Sequence, residues 1–123
     1  KDILFIDNCE EMPLAYKISN IVTNCSIEPE AFGRVAVETQ AMEKIIVASD
    51  IGGSKETIID NKTGFLFKAG NAIALSDKLA HIFELDETTL KSMGIEGRKN
   101  VIKKFNVEKM CFSTYSEYIK LIS

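Results

Sequence analysis

The sequence is poor in the residues that build metal centres and disulfide frameworks. It has one histidine, His81, and three cysteines, Cys9, Cys25 and Cys111. The cysteines are scattered and odd in number, with no CxxC or Cys/His spacing, which argues against structural zinc. Reduced thiols in a cytoplasmic protein fit this usage best. No apolar run approaches the roughly 20 residues of a membrane-spanning helix. A secretory leader is not expected either, because the chain opens on Lys1-Asp2 and a short strand-like run. A large excess of one charge sign is missing too. The net charge of -3 gives no drive toward nucleic acid or an anionic membrane. The basic residues that do gather, Arg98, Lys99, Lys103 and Lys104, read as a solvated helix face, with a membrane or partner contact as the second reading.

What is present fits one ordinary domain. The 123 residues are 46% hydrophobic and 27% charged, the balance of a soluble globular chain with a single core. Short apolar, β-branched runs predict strands at 3–6, 20–24, 45–48 and 65–67. Helices are predicted at 10–19, 34–42, from Ser54, at 71–84, at 87–105 with an interruption near Gly94 or Gly97, and at 107–122. In the first, Leu14, Ala15 and Ile18 share a face and Pro13 stands in the first turn. Ser54 is a plausible N-cap. Strands alternating with helices predict an α/β parallel sheet. Neither repeats nor a low-complexity linker occur.

The chemistry lies in Glu30-Ala31-Phe32-Gly33-Arg34-Val35-Ala36-Val37-Glu38, which follows a predicted strand and opens a helix at its glycine. A helix start offers free N–H groups and the positive dipole end, which suit a phosphate. Gly33 lacks the Cβ that would block a close ligand. Glu38 lies roughly 6 Å along the axis from Arg34 at 1.5 Å per residue. A diphosphate here, with a carboxylate on each side, would suit a sugar nucleotide. Each carboxylate can accept hydrogen bonds from a pair of hydroxyls. A plainer reading stands beside this one: Glu38 pairs with Arg34 across one turn, and Glu30 is a solvated loop residue. Elsewhere, His81 reads as a surface or packing residue, and Tyr115 and Tyr118 as packing residues of the last helix. Cys25 has no histidine nearby in sequence to make it a nucleophile.

The ordered set of motifs resembles the GT4-type (group 1) retaining glycosyltransferases of the GT-B fold. Glu30 and Glu38 match the family's E-x7-E, inside a stretch similar to its P-E-x-F-G at Pro29 to Gly33. Val47-Ala48-Ser49 with Gly52, Gly53 and Glu56 resembles V-A-S-x-x-G-G-x-x-E. Asp60 to Phe65 resembles D-x-x-T-G-F, and Phe105-Asn106-Val107 with Tyr115, Tyr118 and Leu121 resembles the closing helix. The resemblance implies that Glu30 is the catalytic-site carboxylate, contacting hydroxyls of the transferred sugar. It implies that the amides of Phe32, Gly33 and Arg34 cradle sugar and diphosphate, and that Glu38 holds the ribose hydroxyls. Gly52 and Gly53 fall at the same rim, where a ligand role and a plain tight turn stand level. Glu56 reads as a structural helix-start residue. Also implied is transfer with retention from a UDP- or GDP-linked nucleotide-sugar, with no metal and no other cofactor, in cell-envelope, capsular polysaccharide or lipopolysaccharide synthesis. The alternatives are a vestigial or accessory nucleotide-sugar-binding module and part of a sugar-nucleotide epimerase on the same fold.

Two positions depart from the pattern. Glu43 stands where the family has a glycine ending the helix, and Ile45 where proline usually opens the next strand. A glutamate in the left-handed region would cost about 1–2 kcal/mol. Nothing corresponds to the acceptor domain, nor to the family's Arg and Lys that neutralise the diphosphate. The 123 residues are therefore read as one partial, Rossmann-like C-terminal domain: a fragment, a split subunit or the product of a degraded gene, inactive alone. Expected partners are the nucleotide-sugar and a separate chain supplying the acceptor domain. Peripheral membrane association of the full enzyme at the inner face belongs to the same reading. By the family's strand order 3-2-1-4-5-6, the four predicted strands are the third to sixth. The gap left by the first two predicts that residues 3–6 shift beside residues 21–23, or that a homodimer forms through the open edge.

Overall fold

Ile45-Ile46-Val47-Ala48-Ser49 form a strand, β2 (Ile45–Ser49), in which every residue is buried. A run without polar alternation fits only a strand covered on both faces. The computed structural model describes residues 2–122. In it β2 is the centre of a three-stranded parallel sheet, flanked by β1 (Ile21–Asn24) and β3 (Phe65–Phe67) in the order β1-β2-β3. Ile21 pairs in register with Ile45, and Val47 with Phe65. Helix α1 (Met12–Ile18) precedes β1. Helix α2 (Arg34–Ala41) connects β1 to β2, and the short α3 (Gly53–Thr57) lies between β2 and β3. Then come α4 (Ala72–Glu84), α5 (Glu87–Lys104) and α6 (Val107–Ile122).

Alternate residues of the strands build two cores. Ile45, Val47, Phe65 and Phe67 pack with Ile82 of α4 and Met93 of α5. Ile46 and Ala48 point the other way, onto Ala36 of α2 and Ile58. Between α2 and α5 lies a buried polar bridge. The Gln40 amide donates to the Ala36 and Thr57 carbonyls at 3.1 and 3.0 Å, and the Asn100 amide to Thr57 O at 3.0 Å. Each of these buried donors is thus satisfied, as it must be away from water. Asn71 and Asp86 cap α4 and α5, accepting from the amides of Ala74 and Thr89.

Five expectations are corrected. The run Ile3-Leu4-Phe5-Ile6 forms no strand and does not pair with residues 21–23; its residues are 74–93% exposed. The sheet has three strands rather than about four. An apolar run becomes a strand only when a neighbouring backbone takes up its N–H and C=O groups, and here none does. Second, α1 buries Tyr16 rather than the Leu14/Ile18 face. Its contact is with α2, on the side opposite those two residues. Third, α5 runs unbroken through Gly94 and Gly97. There the missing Cβ atoms admit the Glu43 carbonyl and the Gln40 side chain. Fourth, Ser54 lies inside α3, and Gly52 occupies the cap position. Fifth, Tyr115 and Tyr118 are not packing residues here: both lie exposed on α6, which buries no residue in this chain.

Candidate functional site

Parallel strands bring their carboxyl ends to one edge, and the loops that follow β1 and β2 meet there. The Gly53 amide donates to the Glu30 carbonyl at 2.8 Å. A Cβ on Gly52 would come within 2.6 Å of that same oxygen, and one on Gly53 would overlap the Phe32 backbone. The two glycines therefore let the rim loops touch, a packing requirement that their sequence pattern leaves unspecified.

Glu30 is held rather than free. Its Oε1 accepts from Asn24 Nδ2 at 2.5 Å, with the Ser26 hydroxyl at 3.3 Å. Ser26 in turn donates to Asn24 Oδ1 at 2.8 Å. The last residue of β1 thus aims the carboxylate, which a solvated loop residue would not need. Three residues on, Gly33 takes φ 77° and ψ 55°, the left-handed turn that opens α2. No side chain caps this helix. Phe32, between the carboxylate and the turn, meets the Phe105 ring edge-on at a centroid distance of 5.6 Å.

Glu38 sits one turn into α2, half-buried. Both Arg34 Nη2 (3.0 Å) and Nε (3.3 Å) donate to its Oε1, while the Tyr16 hydroxyl donates to Oε2 at 2.9 Å. The predicted Arg34–Glu38 pair therefore forms. As an exposed pair at i,i+4, it contributes only about 0.3–0.5 kcal/mol. Burial, and then the hydrogen bond and charge of Glu38, push the Tyr16 phenol up to about 12. Glu38 opens onto a groove of ≈ 460 Å³ lined by Glu10, Met12, Pro13, Tyr16 and Arg34. The site thus has two fixed carboxylates, one at each side of an uncapped helix start, and an apolar-walled groove beside the second.

Sequence reasoning missed Tyr16, Asn24 and Ser26. Their signal is purely spatial, since Tyr16 reaches Glu38 across 22 positions of chain. His81 lies exposed on α4 with its ring edge against Phe65. Among the described residues, no cluster of His, Cys, Asp and Glu could hold a metal ion, and no helix is long and apolar enough to cross a membrane.

Known proteins resemble this chain in sequence and in fold. Residues 1–100 match the family described as glycosyl transferases group 1. The chain is 30% identical over 94 residues to the capsular polysaccharide biosynthesis glycosyltransferase CapM of Staphylococcus aureus, covering 74% of this chain and 24% of CapM. It superposes on a glycosyltransferase from Rickettsia africae with a TM-score of 0.87 at 38% identity, over 94% of this chain and 31% of that one. Anabaena HepE, solved in complex with UDP-glucose, shares the fold at a TM-score of 0.80 and 23% identity, over 89% of this chain and 30% of HepE. The chain thus spans under a third of the length of each of these relatives. The family match over residues 1–100, together with the likeness to the Rickettsia africae glycosyltransferase, makes the chain a member of the group 1 glycosyltransferase family, carrying part of the GT-B fold.

Proposed function

We propose that this chain forms the donor-nucleotide side of a retaining, GT4-type glycosyltransferase that uses a UDP- or GDP-sugar. The observation that carries the reading is the pair of anchored carboxylates flanking the Gly33 turn. Glu30 is aimed by Asn24 at the carboxyl end of β1, and Glu38 faces the groove. In this reading the amides of Phe32, Gly33 and Arg34 receive the sugar and diphosphate. The helix start supplies roughly half a positive charge toward the leaving diphosphate. Glu38 accepts from the ribose hydroxyls and Glu30 from those of the transferred sugar. Gly52 and Gly53 hold the opposite rim at backbone distance. Anabaena HepE, which shares the fold, is solved with UDP-glucose, which supports a nucleotide-sugar donor. CapM's capsular polysaccharide role supports an envelope polysaccharide as product. No metal or cofactor takes part. The acceptor half comes from elsewhere, in a longer protein or a separate chain, and these 123 residues transfer no sugar alone.

Calorimetry with UDP and GDP tests this. Binding is expected, with Glu38→Ala weakening it by roughly 10- to 150-fold, the range for a hydrogen bond to a charged group. No heat at millimolar ligand, or an unaffected variant, would remove the site from this helix.

A further inference from the structure

The two oxygens of Glu38 have unequal neighbours. Arg34 is 82% exposed at its side chain, whereas Tyr16 is 4% exposed and fixed by the contact of α1 with α2. A guanidinium beside a carboxylate favours the fork in which two N–H groups meet two oxygens. Here that fork does not form. Both Arg34 nitrogens lie on Oε1, because Oε2 is taken by the Tyr16 hydroxyl.

We propose that Tyr16 is a positioning residue for nucleotide binding: by holding Oε2 it fixes the Glu38 carboxylate and keeps Arg34 from a fork across both oxygens, so that a ribose diol in the groove need only displace Arg34 from Oε1. This inference rests on the nucleotide reading above. An exposed, solvent-screened ion pair is the weaker of the two contacts, so the incoming diol displaces Arg34 and leaves Tyr16 in place. The phenol keeps its proton throughout the neutral range, and so remains a donor. Met12 and Pro13 of the same helix line the groove with Tyr16 and Glu38, the cleft that the ribose would enter.

The test is a set of titrations with UDP and 2′-deoxy-UDP on the wild-type chain, Tyr16→Phe, Glu38→Ala and the double variant. Tyr16→Phe keeps the buried ring, and its thermal unfolding is recorded alongside. It is expected to weaken UDP binding roughly 3- to 10-fold, the span of one hydrogen bond, and 2′-deoxy-UDP binding less. In the Glu38→Ala background the same change is expected to have no effect. Equal loss for both nucleotides, loss that persists without Glu38, or unchanged UDP affinity would each overturn the positioning role. Failure of the wild-type chain to bind either UDP or GDP would instead remove the nucleotide reading, and this inference with it.

Discussion

Gly94 of α5 lies against the carbonyl of Glu43, so closely that a Cβ built on the glycine would overlap that oxygen. Glu43 itself stands in the left-handed region at φ 57°. The turn that ends α2 and the middle of α5 are thus in backbone contact, and α5 is the helix that seals the buried Gln40–Asn100 bridge. The stability of the element carrying Glu38 therefore depends on a glycine 56 positions away.

Gly94→Ala is expected to destabilise the chain by about 1–3 kcal/mol, because the atom met is backbone and cannot rotate aside. Urea unfolding reads this as a lower midpoint at an unchanged slope. A midpoint equal to wild type would mean that α5 sits further from the Glu43 turn.

Glu43→Gly is expected to gain up to about 1 kcal/mol. Relief of the left-handed strain, about 1–2 kcal/mol, outweighs the entropy that a glycine adds to the unfolded chain. The Glu43–Arg98 pair, 3.8 Å apart and half exposed, offsets little. Glu43→Ala keeps the strain and should gain nothing. Identical midpoints for the two variants would contradict this account.

Asn24→Ala removes the donor that aims Glu30. If Glu30 faces the sugar, affinity for UDP-glucose should fall roughly 2- to 10-fold, as for one lost hydrogen bond, while affinity for UDP holds. Equal losses for the two ligands would place Glu30 away from the sugar.

Stability should also depend on alkaline pH through Tyr16. Its folded-state pKa, pushed up to about 12, lies above the unfolded value of 10.0. Between these limits the unfolded chain has released the proton and the folded chain has kept it. Stability therefore falls as pH rises through this window, and the full contribution is present below it. Urea midpoints measured across the window should decline in the wild type, and less steeply in Tyr16→Phe. Parallel declines would assign the loss to other groups.

Much of the site's placement was legible in sequence, because it depends on chemistry that is local. A run such as Ile45 to Ser49 has no polar side to show water, so it can only be an inner strand. Gly33 is the one residue of its loop that reaches φ 77° without strain, so the helix must open there. The spacing of Glu30 and Glu38 then follows from the chain itself. The three-dimensional partners follow no such rule. Ile3-Leu4-Phe5-Ile6 is as apolar as β3 yet forms no strand, since pairing depends on which edge lies beside it. Gly94 and Gly97 read as helix breaks because glycine lowers helix propensity, yet α5 continues through them where it touches α2 and the Thr63 carbonyl. Gly52 and Gly53 read as a turn, while their missing side chains are what let two rim loops meet. Tyr16 carries no local mark of its role at all. A hydrogen bond between α1 and α2 exists only once the sheet has set the two helices side by side, so the orientation of Glu38 was decided by packing and not by the order of residues.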